Sequence, residues 1–213
     1  MSALRDKLLA SIAGQLGRPH GLLGRAVARA LNRGNERAIA AAVEATGAGP
    51  GAAVADIGFG GGIGLRLLLD RVGDTGTVHG VEIAEDMLRR AKSRFSADMR
   101  SGRLLLHTGS MTALPLDDAS LDALITLNTV YFIDDLGAAF AELARVIRPD
   151  GRVVVGIGDP DAMRRAPFTR YGFTLRPVAD IAAALTDTGM TVEHRAMAHK
   201  PIPGHLFVAR HRG

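Results

Sequence analysis

The spacing of apolar and polar positions changes twice along the chain, and the changes divide it into three parts. In residues 1–45 the period is helical. Leu4, Leu8 and Ile12 fall at i, i+4 and i+8 on one stripe. Gly17-Arg18-Pro19-His20-Gly21 breaks that stripe, and a second helical run extends from about Leu22 to Thr46. Beyond the glycines at 47–51 the pattern becomes an alternation. Residues 52–57 form a short apolar run that ends in a glycine cluster, followed by a helical period over 63–72. A strand is predicted over 76–83, a charged amphipathic helix over 85–101, and strands over 103–108 and 121–127. A helix over 134–147, a tight turn at Pro149-Asp150-Gly151 and a valine-rich strand over 152–157 complete this part. Apolar strands alternating with helices imply a parallel sheet buried on both faces.

The third part reads differently. Residues 159–176 hold two prolines and several arginines, and read as a loop or insertion. A helix over 178–188 precedes two strands, 190–197 and 205–210, joined by a linker too short for a helical crossover. Those two strands are therefore expected to be antiparallel.

Composition narrows the classes of function. The chain has 213 residues, 47% hydrophobic and 23% charged, which fits one globular domain. There is no cysteine, so disulfides, thiolate metal sites and cysteine nucleophiles are excluded, and the reducing cytoplasm is the expected compartment. No apolar run approaches the ~18 residues that span a bilayer. The amphipathic start, with Arg5, Asp6 and Lys7, does not read as a signal peptide. A net charge of +4 is mild, its arginines are mostly scattered and tryptophan is absent, which speaks against a nucleic-acid surface.

The strongest chemical signal is Asp56-Ile57-Gly58-Phe59-Gly60-Gly61-Gly62, an acid closing a buried strand ahead of four glycines in five positions. Such a loop lets a ligand approach the backbone, and the helix after it presents free N–H groups. A nicotinamide fingerprint, G-x-G-x-x-G, fails in every frame, because its third glycine would fall on Ile63, Leu65 or Leu67. A phosphate loop is missing its lysine.

Asp56-x-Gly58-x-Gly60-x-Gly62 resembles the D/E-x-G-x-G-x-G signature of class I S-adenosylmethionine (SAM) dependent methyltransferases. Further stretches resemble the small-molecule branch typified by ubiquinone and menaquinone biosynthesis (methyltransferase type 11). They are Leu114-Pro115-Leu116-Asp117-Asp118, the segment Leu121-Asp122 to Tyr131-Phe132, and the run from Leu143 to Arg152, while Val81-Glu82-Ile83-Ala84 and Thr108-Gly109-Ser110-Met111 are similar to the class I family more widely. The resemblance implies a Rossmann-like α/β fold: a seven-stranded, mostly parallel sheet with an antiparallel last strand, helices on both faces and an N-terminal helical cap over 1–45. It implies one domain over 1–213, with a SAM-binding core at 50–158 and a substrate-side loop at 159–176. SAM is the implied cofactor, leaving as S-adenosylhomocysteine (SAH). Its implied contacts are Asp56, Gly58, Phe59, Gly60, Gly62, Glu82, Ile83, Ser110, Met111 and Asn128. Glu82 would take the ribose hydroxyls. Ser110 stands where the family usually has an acid on the adenine amino group.

The acceptor side is less defined. Asn128-Thr129-Val130-Tyr131 shares its end residues with the N/D-P-P-Y/F motif of amino-methylating enzymes but not the prolines. Tyr131 is a candidate acid or base, or else a packing aromatic. Arg25, Arg29 and Arg33 lie four apart on one helical face, and Arg164, Arg165, Arg170 and Arg176 cluster near Phe168, Tyr171 and Phe173. Arg164, Arg165 and Phe168 are the candidate acceptor contacts, with solvated arginines as the alternative. The N-terminal helices and the 159–176 segment are expected to close over cofactor and acceptor. The seven histidines form no H-x-H or H-x-x-x-H pair, and no metal is expected. The expected activity is methyl transfer to an O, N or C site of a metabolite or quinone-like, lipid-like compound, with possible contact to a lipid surface. The alternatives are an RNA methyltransferase and a SAM-binding protein without transfer activity. The acceptor, the atom methylated and the oligomeric state are not encoded in any motif.

Overall fold

The computed structural model describes residues 35–198 and 202–212, except for the side chains of 167 and 168. Seven strands form one sheet: β1 (Ala53–Ile57), β2 (Thr77–Glu82), β3 (Leu104–Thr108), β4 (Leu121–Leu127), β5 (Ile147–Gly158), β6 (Met190–Met197) and β7 (Gly204–His211). Their order is β3-β2-β1-β4-β5-β7-β6. The pairs among β1 to β5 are parallel, and β7 runs antiparallel to both neighbours, β5 and β6. This is the expected sheet, with the last strand inserted beside β5.

The strand pattern follows from burial on two faces. Ala55, Ile57, Val153, Val155 and Phe207 pack on one side, with helices α5 (Leu136–Val146) and α7 (Val178–Asp187). Val54, Ile125, Val154 and Val208 pack on the other. There they meet helix α1 (residues 35–45), α2 (Ile63–Val72) and α3 (Glu85–Arg94). Successive strand residues face opposite ways, so each central strand feeds both cores. The second predicted helical run is present over 35–45; the rest of the N-terminal cap, including the Leu4–Leu8–Ile12 stripe and Arg25, Arg29 and Arg33, lies outside the described residues. No helix among the described residues is long and apolar enough to cross a membrane.

Three local expectations are corrected. The helix predicted over 85–101 breaks at Phe95 into α3 and α4 (Ser96–Arg100). The Phe95 ring is buried against the glycine loop, where a Cβ on Gly62 would meet it at 3.1 Å, and its backbone leaves helical geometry to reach there. Pro149-Asp150-Gly151 does not separate a helix from a strand. It lies inside β5, where the register with β4 slips between Leu121 and Ala123. The 159–176 segment is not all loop. It holds α6 (Pro160–Arg164) and a 3₁₀ turn (Pro167–Arg170). Asp159 caps α6 by accepting the Ala162 N–H at 2.7 Å, and Pro160 sits at a first-turn position where its missing N–H costs nothing.

The run from Leu143 to Arg152 acts structurally. Arg145 donates to Glu142 at 2.7 Å, to Asp118 at 2.6 Å and to the carbonyls of Leu114 and Leu116. These bonds pin the 114–118 loop to α5. They also raise the guanidinium pKa further, chiefly through Glu142.

An acid-sensitive contact sits on the β2–β3 edge. His79 Nδ1 and His107 Nε2 are 3.1 Å apart with nearly parallel rings, and His79 is pushed down to about 4 by burial and then by His107. The unfolded chain protonates this histidine below pH ~6.5 while the folded one resists until about 4. Stability carried by His79 is therefore present above that window and lost as pH falls through it. We expect a His79→Gln variant to gain Tm relative to the wild type as pH falls from 6.5 to 4. Equal slopes would contradict the assignment.

Candidate active site

The sheet order reverses direction between β1 and β4, which opens a crevice at their C-terminal ends. The predicted cofactor residues gather around it. Gly58, Gly60 and Gly62 have φ of 73°, 49° and 75°. Gly58 is confined twice: its N–H donates to Val81 O at 2.8 Å, and a Cβ there would come within 2.7 Å of Thr129 Oγ1. The loop from β1 and the loop after β4 thus touch across the crevice. A Cβ on Gly60 would meet nothing closer than 4.0 Å, so this face of the loop is open.

Glu82, at the end of β2, is buried and fastens the loop. Its Oε2 accepts the Gly60 N–H at 2.9 Å, and its Oε1 accepts those of Ile83 and Ala84 at 2.8 and 3.0 Å. Ala84, the residue capping α3, makes no side-chain cap bond. Glu82 therefore also serves the α3 start. Ile83 beside it is 46% exposed, an apolar surface fit to lie against a flat base. Across the strand ends, Thr108 pairs with Glu82, and Ser110 and Met111 follow. Met111 is buried, whereas the Ser110 hydroxyl lies 2.9 Å from Thr112 Oγ1.

Asp56 is 5% exposed, and its pKa is pushed up to about 8 by burial and then by the Glu82 carboxylate. The two acids make this end of the crevice a place for positive charge. Asp56 owes its position to Gly64, which no motif singled out. A Cβ on Gly64 would collide with the Asp56 carboxylate and lie 3.0 Å from Ile125. Alanine is otherwise favoured over glycine in a helix by about 1 kcal/mol. Gly64→Ala is nonetheless expected to lower Tm and weaken SAH binding by roughly tenfold. A raised Tm in a differential scan would contradict this.

A cavity of about 120 Å³ adjoins the crevice on the β4–β5 side. Asn128, Tyr131, Phe132, Met163 and Phe173 line it, with Asn35 and Ala38 of α1 on another wall. Tyr131 is 4% exposed, and its hydroxyl pKa is raised by burial. That hydroxyl accepts the Gly158 N–H at 2.6 Å and lies 3.2 Å from Asn128 Oδ1. Arg176 donates to the carbonyls of Val130 and Ile133 at 2.9 and 2.6 Å, and Thr174 N–H to Tyr131 O at 2.9 Å. The 159–176 segment is thereby tied to the aromatic wall. Arg164 and Arg165 do not line the cavity; both are exposed, and Arg164 pairs with Asp161. The residue that α6 turns inward is Met163. The Phe168 side chain lies outside the described set. Among the described residues no group of three histidines or acids could hold a metal.

Comparisons with known proteins agree with this geometry. A family model described as "Methyltransferase domain" matches residues 55–155. Nocamycin O-methyltransferase of Saccharothrix syringae is 32% identical over 140 residues, 64% of this chain and 50% of its own length. A 2-phytyl-1,4-naphtoquinone methyltransferase of Trichormus variabilis is 30% identical over 114 residues, 54% of this chain and 50% of its own. The chain thus aligns with about half the length of these curated relatives. Among solved structures, a SAM dependent methyltransferase from Aquifex aeolicus superposes with a TM-score of 0.70 at 18% identity, covering 94% of this chain and 97% of that one, a likeness of fold. Over residues 55–155 the chain carries a methyltransferase domain, and its fold and glycine loop are similar to those of SAM-dependent methyltransferases.

Proposed function

We propose that the protein transfers a methyl group from SAM to a small, largely apolar acceptor, with the whole chain acting as one catalytic unit. The observation that carries the reading is the apolar, aromatic-walled cavity beside the glycine loop, with the Asp56–Glu82 acids across the crevice. A cavity of ~150 Å³ accommodates a benzene ring. One of about 120 Å³ suits a single ring or a short branched chain. A cytoplasmic setting fits the absence of cysteine.

The residues present fit the cofactor. Glu82 offers carboxylate oxygens at the open face of Gly60, Ile83 offers an apolar wall for the adenine, and Asp56 answers positive charge. In this reading Ser110 and Met111 border the base, and Gly58, Phe59 and Gly62 shape the loop. Bound there, SAM supplies an electrophilic methyl group on a sulfonium. The chain's part is positional: α1, Tyr131, Phe132 and Phe173 keep water away and hold the acceptor in line. Tyr131 acts as wall and support. With its hydroxyl already bonded and its pKa raised, it is poorly placed to move a proton.

The test is to incubate the protein with methyl-labelled SAM and a fractionated cell extract. Label in low-mass, solvent-extractable material supports the proposal. Label in RNA, with RNA affinity falling steeply with salt, favours a nucleic-acid methylase instead. SAH binding without transfer to any fraction would leave a cofactor-binding protein.

A further inference from the structure

The polarity of one amide narrows the acceptor, on the footing of the methyl-transfer reading above. Asn128 stands at the cavity with φ 58°, its backbone N–H donated to Gly156 O at 2.8 Å. The Tyr131 hydroxyl accepts the Gly158 N–H at 2.6 Å and has one hydrogen left to give. Two acceptors lie in reach, Asn128 Oδ1 at 3.2 Å and Gly158 O at 3.5 Å, and the amide oxygen is the nearer. The side of the amide turned to Tyr131 is therefore its oxygen. The Asn128 amide nitrogen has no partner among the described residues, which leaves its N–H groups for the cavity.

We infer that Asn128 presents a hydrogen-bond donor to the acceptor, that Tyr131 is the positioning residue that holds it so, and that the acceptor is a ring-sized compound carrying a phenolate or enolate oxygen. An amine acceptor fits poorly, because its own N–H groups would face those of Asn128. The resemblance to N/D-P-P-Y/F noted in the sequence thus ends at the residue types. Phe132 and Phe173, ring centroids 4.8 Å apart, and Tyr131, 5.5 Å from Phe173, form inclined walls for a flat ring. In the step itself the acceptor oxygen arrives with its proton already lost to water. It forms the O–CH₃ bond as the S–CH₃ bond breaks, and the electron pair of the broken bond stays on sulfur. The two opposite charges cancel and no proton remains to be moved. Asn128 serves recognition and aim, since the negative charge it bonds fades during transfer.

The test uses the full chain saturated with SAH, in mildly alkaline buffer, and two probes of equal shape: 4-nitrophenol, ionised there, and the neutral 4-nitroaniline. Calorimetry should show the phenolate bound about tenfold or more tighter. Tyr131→Phe keeps the ring and frees the amide to turn, and should shrink that preference to under about threefold. A tyrosine that merely supports the fold would weaken both probes alike and leave the ratio unmoved. Asn128→Asp tolerates the left-handed backbone, offers acceptors only, and should reverse the preference. The inference is overturned if the aniline binds as well as the phenolate, if Tyr131→Phe leaves the ratio unchanged, or if neither probe binds protein that holds SAH. Loss of SAH binding by the wild type, read in the same titrations, would instead bring down the methyl-transfer reading and this inference with it.

Discussion

Glu82→Ala is expected to weaken SAH binding by about 10²-fold, roughly 2–3 kcal/mol, in a calorimetric titration. Two losses add. The variant no longer offers carboxylate oxygens at the open face of the loop, and the Gly60 N–H, held at 2.9 Å in the wild type, is left without its acceptor. Glu82→Gln should be nearly as damaging. The carboxylate takes N–H donors on both oxygens, so one end of an amide would set its own N–H groups against a backbone N–H. Ordinary SAH affinity in a folded Glu82→Ala protein would remove Glu82 from the cofactor site.

Asp56→Asn should stabilise the cofactor-free protein and weaken its grip on the cofactor. The folded pKa of about 8 lies above the ordinary 3.8, so between those values the folded state keeps a proton that the unfolded state releases. Stability then falls as pH rises through that window and levels off above about 8. Asparagine removes this dependence, and at pH 8 the variant should melt several degrees higher than the wild type. The His79 contribution, of opposite slope, cancels in the comparison because both proteins carry it. Binding behaves oppositely. SAM brings a sulfonium and an ammonium, which prefer the ionised Asp56, so wild-type affinity should rise by up to about tenfold per pH unit toward pH 8. The variant should bind roughly tenfold more weakly at pH 8, with no such rise. A gain in stability with a loss in binding marks a site whose charge arrangement serves the ligand. A variant that melts lower than the wild type, or binds with the same pH dependence, would contradict the account.

The half of the site built from consecutive residues was legible in the sequence. Asp56, the three glycines and Glu82 are set by strand ends and turns, and local pattern reveals those. The half built from residues far apart in the chain was not. Gly64 matters because Asp56 from the preceding strand lies against it. Phe95, where one helix ends, packs its ring beside Gly62, 33 positions earlier in the chain. Tyr131 and Gly158, 27 positions apart, meet only once β4 and β5 are paired. The His79–His107 and His194–His205 contacts, at 3.1 and 2.9 Å, likewise arise from strand pairing, and no H-x-H spacing announces them. Arg164 was drawn into the acceptor site by the arginine-rich composition around it. One turn of helix, started by Asp159 and Pro160, points Met163 inward and leaves Arg164 to Asp161 in solvent. Arg176, from the same cluster, acts through three backbone carbonyls and needs no ligand.

The central claim is that the cofactor spans the ends of β1, β2 and β4 with its sulfur facing the aromatic cavity. A crystal structure of the full chain with SAH tests this most directly. The account predicts ribose hydroxyls on Glu82, the adenine against Ile83, and the sulfur at Asn128 opening toward Tyr131, Phe132 and Phe173. A nucleoside bound away from Glu82, or a sulfur turned from the cavity, would contradict it.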